Sequence, residues 1–230
     1  MAEHARHRYE RWGLREVLRE YPGLSLRPKG KGGAVLTGAL EFSADYKRHE
    51  AITDAYEVEI HIDAAFPRRI PTATETGNRI RGGFHTNDDG TLCLGSPLRL
   101  QAAFRRRPTL LGFVENCLIP YLYGYSFLER HDHLPWGDLA HGYAGLIDEY
   151  KALLHVDDNE ACLEMILLLG TKKRIANKRP CPCGSGLRVG RCHHRALNSL
   201  RKVASRSWFR GEHKRLGGSV RTTSRRNRER

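Results

Sequence analysis

Acidic residues are nearly missing from one end of this sequence. Between Thr171 and Arg230 there are nineteen Lys or Arg and only two Asp or Glu, a charge of +17. The whole chain carries +13, so residues 1 to 170 carry −4. This excludes a uniformly basic protein and describes a mildly acidic globule with a cationic end. Long apolar runs are absent too, so neither a membrane-spanning helix nor a secretory leader is expected. The six cysteines show no ladder of disulfide spacings. A bridged secreted scaffold is therefore excluded, and a reducing cytoplasm is the expected compartment. The Lys29-Gly30-Lys31-Gly32-Gly33 run has no strand before it and no helix after it, so it reads as a hairpin turn or loop and not a phosphate cradle. Two hundred and thirty residues allow one ordinary domain and an appendage.

The cysteines that are present are unevenly placed. Cys181-Pro182-Cys183-Gly184-Ser185-Gly186 is followed by Cys192-His193, which puts four soft or borderline ligands in thirteen residues. Zinc favours four tetrahedral N/S ligands, and so short a segment cannot hold a shape by apolar burial alone. Gly184 and Gly186 permit the turns that aim Cys181 and Cys183 at one point. His194 is an alternative to His193, but a ligand directly after Cys192 fits the turn better. One structural zinc per chain, held by Cys181, Cys183, Cys192 and His193, is the expectation.

Upstream, periodicity predicts a helix over His7 to Glu20 and a strand over Ala34 to Phe42. A second strand is predicted from Tyr56 to Ile62, where Tyr56, Val58, Ile60 and Ile62 alternate with polar residues. A short strand over Thr72 to Thr76 precedes a polar loop ending at Leu94. Helices then follow: one with Leu110, Val114, Cys117, Leu118 and Tyr121 on a face, one opened by Trp136-Gly137-Asp138 with Asp138 as N-cap, and one over Asn159 to Leu169. The expected class is α+β, an antiparallel sheet backed by helices, with a small metal module and a basic tail. Gly217 to Arg230 reads as disordered, and arginines around Trp208 and Phe209 suggest weak nucleic-acid contact.

Cys117 and Cys162 sit among aliphatic residues and read as small buried hydrophobes. Cys93 differs, because it closes a loop containing His85, Asn87, Asp88, Asp89 and Gly90, groups that do not belong in a core. A cysteine near donors able to polarise a carbonyl suits a thioester-forming nucleophile.

Residues 14 to 155 resemble a bacterial-type ubiquitin-conjugating domain. Phe66-Pro67-Arg68-Arg69-Ile70-Pro71 matches its proline-rich turn after the third strand. His85-Thr86-Asn87 resembles its His-Pro-Asn motif, and Gly90-Thr91-Leu92-Cys93-Leu94 resembles the segment that holds its nucleophile. Thr86 replaces the motif's proline, and Asn87 lies six residues before Cys93, a shorter gap than in eukaryotic members. The run from Trp136 to Gly142 is similar to bacterial members bearing a SEC-C tail, and Pro180 to His193 resemble the SEC-C zinc module itself. The expected division is a conjugating-type catalytic domain over 1–155, helix and linker over 156–176, a zinc motif over 177–196 and a basic, disordered tail over 197–230.

The resemblance implies that Cys93 accepts a ubiquitin-like modifier from an activating enzyme as a thioester and passes it to an amine on a protein substrate, in the setting of a bacterial anti-phage operon. Asn87 steadies the oxyanion or holds the loop, and His85 orients Asn87 or the loop backbone. Asp88 and Asp89 guide an incoming lysine or merely form the turn; Asp132 and His141 are weaker candidates. Two rivals stand beside this reading. One is an idle adaptor that docks through its zinc motif and tail; the other is a Cys93 hydrolase, for which no base and orienting group can be read.

Overall fold

The strictest alternation in the sequence becomes the centre of a sheet. In the computed structural model, which describes residues 2–80, 84–136 and 142–226, strand β3 (Ile52–Ile62) buries Ile52, Tyr56, Val58, Ile60 and Ile62; Thr53, Ala55, Glu57, Glu59 and His61 lie on the other face, and Asp54 shares the inner one. It pairs along its length with β2 (Gly33–Ala44), from Ala34 opposite Ile62 to Ala44 opposite Ile52. With β1 (Leu24–Lys29) and β4 (Thr72–Glu75) the four strands form an antiparallel sheet in sequence order. The period of two thus places one apolar face against helices. β1 was not expected from the sequence, because Pro28 weakens its pattern. As an edge strand it loses no ladder bond to the proline. Gly38, opposite Leu24, has φ 132°, and a Cβ there would lie 2.2 Å from the Gly23 carbonyl oxygen, so the pairing demands glycine.

The chain divides into two compact units, Met1–Asp138 and Leu139–Arg230. In the first, the expected N-terminal helix is two: α1 (Ala2–Arg11) and α2 (Leu14–Glu20), separated where Gly13 takes a left-handed φ of 74°. The Trp12 carbonyl accepts the Leu110 N–H, which ties this corner to the later helices. Beyond the loop comes α3 (Pro97–Arg106), with Pro97 at its start and the Ser96 hydroxyl accepting the Arg99 N–H. The stripe from Leu110 to Tyr121 is helical as expected but is divided among α4 (Leu110–Phe113), a wide π turn (Val114–Leu118) and α5 (Ile119–His131). The Ile119 N–H reaches back to Val114, and this widening accommodates Pro120, which has no N–H to give. The α5 face carrying Tyr121, Leu122, Tyr125 and Ser126 is buried, with the Tyr125 ring edge-on to Tyr56 of β3.

The second unit is helical: α6 (Gly142–Leu154), α7 (Asn159–Leu169), α8 (Lys173–Ala176), α9 (His194–Leu200) and α10 (Arg206–Arg226). The expected N-cap Asp138 lies outside the described residues, as does His141; α7 is capped by Asp158, whose carboxylate accepts the Ala161 N–H. Its core joins Ile147, Tyr150 and Leu154 of α6 to Cys162, Met165 and Ile166 of α7 and to Leu197, Phe209 and Leu216. The 197–230 stretch, read as an unstructured basic tail, therefore carries helices. Phe209 and Leu216 are spaced to share a helix face, and burying each contributes roughly 2 kcal/mol. Among the described residues no helix is long and apolar enough to cross a membrane.

Candidate functional site

Two groups of side chains stand out from packing. The first is the loop between β4 and α3. The Leu92 N–H donates to Ala73 at the start of β4, which anchors the loop to the sheet. One residue on, the Cys93 N–H donates to the His85 carbonyl at 2.6 Å, and Thr86 bridges Leu92, so the loop is closed across its neck. Cys93 is half-buried. His85 has φ 38°, a left-handed conformation that costs of order 1 kcal/mol, and its ring packs edge-on against Phe84 at 4.6 Å. Phe84 in turn sits against Tyr121 and Tyr125, and the Tyr121 hydroxyl donates to the Phe84 carbonyl at 2.9 Å. Burial raises the Tyr121 phenol well above its ordinary range; hydrogen bonding with Thr86 opposes this and the proximity of Cys93 adds to it.

The loop tip is a self-contained turn. The Asn87 amide nitrogen donates to the Thr91 hydroxyl at 2.9 Å, and that hydroxyl donates to Asp89 at 2.6 Å. Asp89 also accepts the Thr91 N–H, and these bonds hold its carboxyl below the usual range. Gly90 has φ 80° and donates its N–H to the Asn87 carbonyl. Asn87 and Asp89 are thus engaged in turn chemistry. Asp132 is placed elsewhere, ending α5 with φ 59°.

A network unread from the sequence supports the loop's approach. Arg79 donates to both oxygens of Asp54 at 2.7 Å and to Glu129 at 2.6 Å, with its guanidinium 4.4 Å from the centre of the Tyr56 ring. The Ser126 hydroxyl donates to Asp54 and meets the Tyr56 hydroxyl, both at 2.7 Å. The Tyr125 hydroxyl donates to the Arg79 carbonyl, and Glu75 accepts the Arg79 and Ile80 N–H groups. The chain ahead of the loop is therefore fastened to β3, β4 and α5. The bonds joining Asp54, Arg79, Ser126 and Glu129 span 25 to 72 residues, so no local pattern could have revealed them.

The second group is the cysteine cluster. Cys181, Cys183, Cys192 and His193 offer ligand atoms that all lie within 4.8 Å of one another and could hold a metal ion. Cys181 Sγ is 3.1 Å from His193 Nδ1 and 3.3 Å from Cys183 Sγ; Cys192 Sγ is 3.6 Å from Cys183 and 3.1 Å from His193. Gly184 and Gly186, at φ 75° and 72°, make the turns the spacing called for. Antiparallel pairing of Pro180 with Arg188 closes the knuckle, with the Cys181 N–H donating to Leu187. His193 Nε2 lies 3.1 Å from the His155 carbonyl. That contact assigns the proton to Nε2 and leaves Nδ1 as the free lone pair, an orientation common to metal-binding histidines. Burial pushes the Cys181 thiol up to about 12, whereas hydrogen bonding to Ser185 brings Cys183 down to about 6.

The remaining cysteines are in the core. Cys117 and Cys162 are buried, and desolvation raises their thiols to about 12 and about 11. Compared with known proteins, the chain matches no family model and no curated protein.

Proposed function

We propose that the chain is a modifier-conjugating enzyme whose nucleophile is Cys93. The observation that carries this reading is one of exclusion. Of six cysteines, two are buried in apolar cores and three share the ligand cluster; that leaves Cys93, half-exposed in a polar, pinned loop. The resemblance of residues 14 to 155 to ubiquitin-conjugating domains supports the same choice. The Cys93 thiolate attacks the carbonyl that joins a ubiquitin-like modifier to its activating enzyme, and the enzyme's thiolate leaves. An amine of the protein substrate then attacks the new thioester, loses its proton to solvent or a loop acceptor, and expels the Cys93 thiolate as the amide forms. Asn87, bonded to Thr91, acts in this scheme by holding the loop, and His85 acts through its carbonyl on the Cys93 N–H.

The four-ligand cluster is proposed to hold zinc as a structural ion. A tetrahedral ion with metal–sulfur distances of about 2.3 Å sets its ligand atoms about 3.8 Å apart, somewhat wider than the 3.1 to 3.6 Å contacts here and inside the 4.8 Å that spans the group, and three thiolates with one imidazole suit zinc.

Incubation with ATP, a ubiquitin-like modifier and its activating enzyme should yield an adduct on Cys93 that thiols release. Cys93→Ser should convert it to a thiol-resistant ester or abolish it. A thiol-labile adduct that persists in Cys93→Ala would sink the assignment and favour the adaptor reading.

A further inference from the structure

From Met165 to Gly211 the sequence contains twelve Lys or Arg and no Asp or Glu. The next carboxylate, Glu212, is buried and already bonded to Tyr150 and Arg215. The first unit treats its cations differently: Arg69, Arg79, Arg107 and Arg130 each meet a carboxylate. Of the twelve, Arg201 and Arg210 are spent on backbone carbonyls of the same unit. The others make no ion pair or side-chain hydrogen bond among the described residues.

The cysteine knuckle gathers several of these free cations. Its pairing of Pro180 with Arg188, extended by Val189 N–H to Arg179 and Gly190 N–H to Asn177, sets Lys178 and Arg179 beside Arg188 and Arg191. Arg195 follows one residue into α9, and all five side chains are exposed. Like charges held together by a fixed backbone, with no neutralising partner, bind anions. We propose that the exposed cations of the knuckle dock the sugar–phosphate backbone of a single-stranded nucleic acid. Arginine supplies four of the five cations, and its planar fork matches phosphate oxygens. Leu167, Ile175 and Leu187 are the large apolar side chains exposed on this stretch, too few for the desolvated centre of a protein interface. No exposed aromatic accompanies the cluster, so contact would run along phosphates without reading sequence. The inference does not rest on the Cys93 reading.

The test is fluorescence anisotropy of the full chain with a labelled mixed-sequence RNA of about 20 nucleotides across a salt series. Neutralising five phosphates should give a log–log slope of about −3.5. The triple variant Arg179→Glu, Arg188→Glu, Arg191→Glu should bind about 100-fold more weakly near 0.1 M salt. The matching Gln variant should lose affinity in the same direction, which separates lost contacts from misfolding in the Glu variant, and circular dichroism checks both. Replacing Arg225, Arg226, Arg228 and Arg230 with Gln should cost much less. Salt-independent binding, undiminished binding by both triple variants, or a larger loss from the C-terminal substitutions would overturn the proposal. So would displacement of the RNA by poly-glutamate at equal charge concentration, which would mark an acidic protein as the occupant.

Discussion

At the scale of single residues, the Asp54–Arg79 pair ties β3 to the chain that leads into the Cys93 loop. Asp54 accepts from the Arg79 guanidinium, from the Ser126 hydroxyl and from the Ala55 N–H, and these bonds lower its carboxyl from an ordinary 3.8 to about 2. The folded state therefore holds the ionised form more tightly than the unfolded chain does. That preference is worth about 2 kcal/mol above the unfolded value, and it fades as pH falls from about 4 towards 2. Replacing Asp54 with Asn should thus destabilise the protein at neutral pH, and the gap to the unsubstituted chain should narrow in acid. Urea midpoints at about pH 6 and about pH 3 check this. A gap that stays constant over that range would mean the carboxylate is not what Arg79 and Ser126 hold. At Asn87 the same scale gives a different lesson, for the amide that a motif reading aims at a reaction centre is bonded to the Thr91 hydroxyl.

At the scale of elements, α10 shows how a strongly basic segment can still fold. Arg206, Arg210 and Arg215 are exposed while Phe209, Glu212 and Leu216 turn inward, three to four residues apart. Glu212 takes the Tyr150 hydroxyl from α6 and the Arg215 guanidinium from its own helix, so one carboxylate joins two elements. Glu212→Ala leaves the Tyr150 hydroxyl buried without its acceptor, while half-exposed Arg215 regains water. The expected cost is about 2 kcal/mol, measurable as a lowered urea midpoint. Glu212→Gln, which keeps an acceptor for Tyr150, should recover part of it. Equal losses for both substitutions would show that the charge, and not the hydroxyl's partner, carries the contact.

At the scale of the whole molecule, the cysteine knuckle is embedded in the second unit. Val189 and Leu197, on either side of Cys192 and His193, are fully buried there, and His193 reaches the His155 carbonyl between α6 and α7. A cut after Gly170 would strip α6 and α7 of Leu197, Phe209 and Leu216; the boundary between the two units falls at 138/139. Elemental analysis should find one zinc per chain, and chelation should lower the melting temperature of the second unit while the sheet of the first survives. Limited proteolysis after chelation locates the change, with new cuts expected within 139–230. A protein that lacks stoichiometric zinc, or one whose second unit melts unchanged after chelation, would remove the ion from the account.

The alternation from Tyr56 to Ile62, the helical stripe at Leu110 to Tyr121 and the Cys-x-Cys…Cys-His spacing were legible because each is a local pattern with a period or turn of its own. So was the burial of Cys117 and Cys162 against the half-buried Cys93, since an apolar helix and a polar loop differ in composition. Other features had no such signal. Pro28 hid an edge strand whose existence depends on β2 lying alongside it, and Pro120 concealed the π turn that makes room for it. Charge density masked the helix at Arg206–Arg226, which is held by apolar partners on α6 and α7. The Asp54, Arg79, Ser126 and Glu129 network and the His193–His155 contact join residues far apart in the chain, and only folding brings them within a hydrogen bond of each other. Local periodicity and spacing depend on near neighbours alone, whereas the partners of a buried charge or a ligand's second nitrogen are set by the tertiary structure.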